Sequence, residues 1–159
     1  MIMKKLIIDT NLLVLFAVGS IDNGKQIKNS KKLRAYSTQD FDLLIKLMAN
    51  FDELYLTPYI AAETSNLLHR DLTGWAKEQV FSFLRIVFNE TFKLIDANLK
   101  KDTQGYTFPL FGLTDNAFTH LIDEYTILSN DENICMTLFG IKPSHVMYYK
   151  LIRTIIDQK

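Results

Sequence analysis

Four acids far apart in the chain, Asp9, Glu63, Asp115 and Asp131, are the residues whose placement poses a chemical question. Asp9 closes the apolar run KKLIID, and Asp131 follows the run YTILS, so both carboxylates fall where a strand hands over to a helix. There an Asp serves as a helix N-cap, and equally it can project from the carboxyl edge of a sheet toward a ligand. Asp115 follows Thr114, read as the cap of DNAFTHLIDE, where the helix dipole favours a negative charge. Glu63 has no such explanation. Lying between Ile60 and Leu67 at helical spacing, it is predicted on the inward stripe of the helix PYIAAETSNLLHR. A carboxylate that faces a core is costly unless its charge is compensated.

Converging carboxylates cannot compensate one another, because like charges held together raise pKa values and destabilise the fold. A divalent cation resolves the conflict. Carboxylate oxygens with open water positions suit Mg²⁺ or Mn²⁺, hard ions that keep several waters and accept phosphate oxygens as further ligands. Such an ion lowers the pKa of a bound water and neutralises charge developing on a phosphodiester.

The elements that must gather these acids follow from the apolar periodicity. KKLIID, ELYLT (Glu53–Thr57) and YTILS read as strands, and HVMYY as a last one. Helices are expected over NLLVLFAV, over the segment opened by Thr38, from the Thr57-Pro58 start, after Thr73, after Thr114, after Asp131 and over KLIRTIID. Gly140 is read as the end of the helix after Asp131. Glu90 to Leu113 shows no clear pattern, and residues 19–37 read as a polar excursion. Strands alternating with helices imply a three-layer α/β/α fold with a mainly parallel central sheet. Residues 1–159 are expected to form one domain.

Composition narrows the function classes. The chain has 159 residues, 18 Lys plus Arg against 18 Asp plus Glu, and 48% hydrophobic content, as in a folded globular protein. Cys135 is the sole cysteine, so no internal disulfide is possible; a packing role and a reducing compartment are expected. His69, His120 and His145 are scattered, which disfavours zinc. The apolar run from Leu12 to Val18 is too short to span a bilayer, and Asp9 interrupts any signal-like stretch, so a cytoplasmic protein without membrane contact is expected. No phosphate-binding G-x-x-x-x-G-K-[ST] loop is present, which argues against ATP hydrolysis. Within the neutral total, Lys25, Lys28, Lys31, Lys32 and Arg34 form a basic cluster, read either as a solvated loop or as a mobile arm contacting RNA phosphates.

The ordered set of motifs resembles the PIN domain family, metal-dependent ribonucleases common among the toxins of bacterial toxin/antitoxin pairs. IIDTNLL is similar to that family's opening strand with its first Asp, AAETSNLL to the helix carrying its Glu, LTDNAFTHL to the segment bearing its third acid, and ILSNDENI to its closing motif. The resemblance implies that Asp9, Glu63, Asp115 and Asp131 form the metal-binding and catalytic quartet for Mg²⁺ or Mn²⁺, with Ser129 in the hydroxyl position; Asn11 and Ser129 are candidates to orient the aspartates, Asn11 being equally suited to satisfying a helix terminus. It further implies endonucleolytic cleavage of RNA by metal-activated water to leave a 5′-phosphate and a 3′-hydroxyl, a homodimer, and a cognate antitoxin as partner. The 19–37 and 98–111 segments make the chain longer than many compact members of that family.

Two other functions compete. A haloacid dehalogenase-type phosphohydrolase also places an Asp after its first strand, but wants a second Asp where this chain has Asn11. A PIN-like module binding RNA or protein without cleaving it would keep the fold alone. Asp102, Asp123, Glu124 and Glu132 read as surface charges, Trp75 as core or subunit interface, and His69 and His120 as surface or hydrogen-bonded residues.

Overall fold

The computed structural model describes residues 2–158. Among them, β1 (Lys5–Ile8), β2 (Glu53–Leu56), β3 (Lys93–Leu94), β4 (Thr126–Ser129) and β5 (Val146–Tyr148) form one sheet in the order β3-β2-β1-β4-β5. Every neighbouring pair is parallel. Helices α1 (Thr10–Gly19) and α2 (Thr38–Met48) join β1 to β2, and α3 (Pro58–Asp71) and α4 (Gly74–Ile86) join β2 to β3. Then α5 (Leu99–Asp102) and α6 (Phe108–Leu121) lead to β4, α7 (Glu132–Ile141) leads to β5, and α8 (Tyr149–Asp157) follows it. Right-handed crossovers put α1–α4 over one face of the sheet and α5–α7 over the other. The result is a three-layer α/β/α fold, as the alternation of strand and helix patterns required.

The chain steps outward from β1 through β2 to β3, then returns past β1 to β4 and β5. β1 and β4 are therefore adjacent strands whose following helices leave toward opposite faces. Such a switch point leaves a crevice beyond the strands' carboxyl ends. Leu6, Ile7, Ile8, Ile127 and Leu128 are fully buried, which explains the unbroken apolar runs of these two central strands. α1 is buried along its whole length apart from Asn11, because α2, α3 and α4 cover the side turned away from the sheet.

Several local readings need correction. Residues 19–37 are not a loose excursion: Ile21, Ile27 and Leu33 are buried in the core, and Ser30 and the Lys31 backbone N–H both donate to Asp71 at the end of α3. Alternating apolar anchors among the lysines hid that attachment from a composition-based reading. Thr73 holds the N-cap position of α4 without a side-chain capping bond, Gly140 lies inside α7 rather than ending it, and the core half of the reading for Trp75 fails, since it is 54% exposed. The unpatterned stretch from Glu90 holds the two-residue β3, short α5 and the start of α6, elements too brief to show a period.

Asp40 is buried one turn into α2, where its Oδ2 accepts from the Ser37 N–H in a capping box. Its Oδ1 accepts from Tyr149 Oη at 2.8 Å and pairs with Arg153 Nε at 3.1 Å. This carboxylate thus fastens α8 to α2.

Candidate functional site

Asp9 is the first residue past β1, and its backbone N–H continues the ladder by donating to Leu128 O at 2.9 Å. The carboxylate is buried. Its Oδ1 accepts from the Thr10 N–H at 2.7 Å as the N-cap of α1, and its Oδ2 accepts from Ser129 Oγ at 2.6 Å. Ser129, fully buried at the end of β4, also accepts from the Asp131 N–H at 3.1 Å. One hydroxyl therefore ties the two aspartates of the switch point together. Asp131 caps α7 with Oδ1, which accepts from the Asn133 and Ile134 N–H groups at 2.8 and 3.2 Å. Cap and site are not exclusive: capping uses one oxygen of Asp131 and fixes where the other stands.

Asp115 reaches the same crevice from α6. The helix is broken at Gly112 (φ 74°, ψ −174°), so Asp115 lies in the first turn of the segment that resumes at Leu113. Asp115 and Asp131 line one opening with Leu110, Phe111, Asn133 and Thr137. Burial, followed by the negative charges of Asp9, Asp131 and Glu63, pushes the Asp115 carboxyl up to about 8. Burial also pushes Asp9 up, to about 6, with Glu63 and Asp131 adding to the rise and the Ser129 and Thr10 hydrogen bonds opposing it. The four acids thus share one electrostatic field.

Glu63 departs from its expected setting. The buried stripe of α3 is Ile60, Thr64 and Leu68, and Glu63 lies on the exposed side of it. A burial penalty therefore does not explain it. Its Oε2 instead accepts from Thr114 Oγ1 at 3.0 Å and Thr10 Oγ1 at 3.3 Å. Two threonines, one beside Asp9 and one beside Asp115, turn this carboxylate toward the aspartates. Thr114 is correspondingly not a helix cap. Neither threonine's role was readable from sequence, because each depends on α3 passing close by; the only signal was a hydroxyl next to each candidate acid.

Asn11 is exposed and makes no side-chain hydrogen bond among the described residues, so it orients no aspartate here. The side chains of Lys25, Lys28, Lys31, Lys32 and Arg34 are exposed and form no ion pair among the described residues. Lys31 is anchored beside Asp71, about 12 Å along the α3 axis from Glu63 at the helical rise per residue. Asp102, read as a surface charge, is buried and paired with His120 Nε2 at 2.5 Å. Cys135 packs behind Ser129, its thiol pushed up to about 12 by burial.

A divalent ion is consistent with the donor set, which is all oxygen, with neither sulfur nor imidazole among the four acids. The side chains do not form a closed cage: among the described residues, no three His, Cys, Asp or Glu groups stand close enough to grip one ion. Mg²⁺ commonly binds through one or two carboxylates and retains water toward the rest, so an open acidic crevice suits a hydrated ion better than a tight structural site. No family model and no curated protein sequence matches this chain. Fold and geometry define an α/β protein with an acidic crevice at its sheet's switch point.

Proposed function

We propose that this protein is a Mg²⁺- or Mn²⁺-dependent endoribonuclease whose site is Asp9, Glu63, Asp115 and Asp131. The observation that carries the proposal is the single Ser129 hydroxyl joining Asp9 to Asp131, at a place where burial and neighbouring carboxylates raise the pKa of both Asp9 and Asp115. A bound divalent ion supplies activation of water and neutralisation of charge on the phosphodiester. The protein's part is positioning. Ser129 and the Thr10 N–H fix Asp9, the α7 N-terminus fixes Asp131, and Thr10 with Thr114 hold Glu63. Burial and the neighbouring carboxylates favour the protonated form of Asp115, and a cation held beside it would favour the ionised form.

The exposed basic side chains from Lys25 to Arg34 supply attraction for an RNA backbone that the acids alone would repel. A toxin role with a cognate antitoxin, and a homodimer, belong to the same proposal through the likeness of the ordered motifs to PIN domains. The open spacing of the acids supports a second reading, a module that binds RNA or protein without cutting it. A haloacid dehalogenase mechanism gains nothing, since Asn11 replaces the second Asp and is exposed. The deciding experiment is cleavage of a fluorophore-quencher RNA in Mg²⁺ or Mn²⁺. Cleavage by the wild type, abolished by EDTA and by Asp131→Asn, supports the enzyme; no cleavage under any metal supports the binding module.

A further inference from the structure

A second cavity borders the acidic opening. Thr137 lines both the opening beside Asp115 and Asp131 and a neighbouring cavity of about 740 Å³. Met136 and Ile141 on α7 give this cavity an apolar wall, and Tyr106, 83% exposed, stands at its edge with Lys101 and His120.

Its polar side is held in place by buried groups. Asp102 accepts from Tyr59 Oη at 2.5 Å and from the Asn98 N–H at 3.0 Å, and it meets His120 Nε2 at 2.5 Å. Buried Asn116 donates to the carbonyls of Asp102 and Gln104 at 2.7 and 2.9 Å, and accepts from Thr107 Oγ1 at 2.6 Å. These bonds clamp the loop carrying Tyr106 against α6, so the wall exists before a ligand arrives. His120 Nε2 faces the Asp102 carboxylate, and Nδ1 makes no hydrogen bond among the described residues.

We propose that this cavity binds the nucleotide next to the cleaved bond of a single-stranded RNA, its base against Tyr106 and its sugar-phosphate toward His120 and Lys101. The inference rests on the ribonuclease proposal and names the form of RNA that site takes. A flat aromatic face, an apolar floor and a basic edge match a nucleotide's three parts. The volume falls within the usual range of about 300–1,000 Å³ for small-ligand pockets. A paired base stays stacked in its duplex and cannot fill the cavity, which selects single strands.

The test is fluorescence anisotropy of a short labelled single-stranded RNA on the full chain, with Ca²⁺ in place of Mg²⁺, alongside cleavage in Mg²⁺. Loss of one stacking partner in Tyr106→Ala is expected to weaken binding about tenfold. His120→Gln is expected to weaken it as well, while Trp75→Ala on α4 leaves it unchanged. The corresponding duplex is expected to bind Tyr106→Ala and wild type equally. Unchanged single-strand affinity in both cavity variants overturns the inference, as does dissociation of a dimer by Tyr106→Ala with RNA affinity intact, which would make the cavity a protein interface. Cleavage with unchanged affinity removes the subsite and leaves the ribonuclease; weakened binding in the variants without wild-type cleavage removes the ribonuclease and leaves the subsite.

Discussion

Replacing Asp115 by Asn separates what the acidic crevice costs the fold from what it does for a cation. The Asp115 carboxyl moves from an ordinary 3.8 to about 8 through burial and three negative neighbours. A folded-state pKa above the unfolded value means that the folded chain holds the extra proton. Its stabilising share is complete below pH 3.8 and is lost as pH rises through about 8. Fully expressed, that difference corresponds to about 6 kcal/mol; solvent and rearrangement at this part-exposed position reduce it to about 2 kcal/mol. Asn keeps the shape and cannot ionise. In EDTA at pH 8, Asp115→Asn should therefore melt about 4–8 °C above wild type, with the gap closing toward pH 4. Added Mn²⁺ should reverse the order, because saturating ligand at about a hundred times its Kd stabilises wild type by about 2.7 kcal/mol and the variant by little. Scanning calorimetry across pH, with and without Mn²⁺, reads both effects. A variant that melts below wild type in EDTA at pH 8, or equal Mn²⁺ gains in the two proteins, would refute the shared-field explanation.

Three further outcomes follow from single contacts. Ser129→Ala strips Asp9 of a buried hydrogen bond and should cost about 1–3 kcal/mol in urea unfolding, with RNA cleavage reduced about 10–100-fold. Asp40→Ala leaves Tyr149 and Arg153 without their partner, so it should destabilise the fold by about 3 kcal/mol and raise hydrogen exchange selectively in α8. Asp71→Ala releases Ser30 and the Lys31 N–H, and limited trypsin digestion should then cut among Lys25–Arg34 faster than in wild type.

What sequence patterning disclosed was the part of the fold with strong periodicity. β1 and β4 stood out because strands covered on both faces need continuous apolar runs, β2 as the short run ELYLT, and α3 because Thr57 and Pro58 mark its start. β3, with two residues, and α5, with four, carry no period long enough to detect. Asp9 and Asp131 were visible as acids at strand-to-helix junctions, whereas Glu63 was selected for the wrong reason: its helix is turned so that Thr64 faces the core. Its proximity to Thr10 and Thr114 is a property of helix packing, invisible until α1, α3 and α6 are placed together. Asp102 was missed because its burial depends on Tyr59 and His120 arriving from two other helices.

Calorimetric titration of the full chain with Mn²⁺, repeated in buffers of different ionisation enthalpy, tests the acidic crevice most directly. Wild type should bind Mn²⁺ and release protons between pH 6 and 8, the range set by Asp9 and Asp115. Asp9→Asn should lose the binding heat while retaining a folded, cooperative melt. Absence of Mn²⁺ binding to wild type, or wild-type binding by Asp9→Asn, would contradict a divalent-cation site at these four acids.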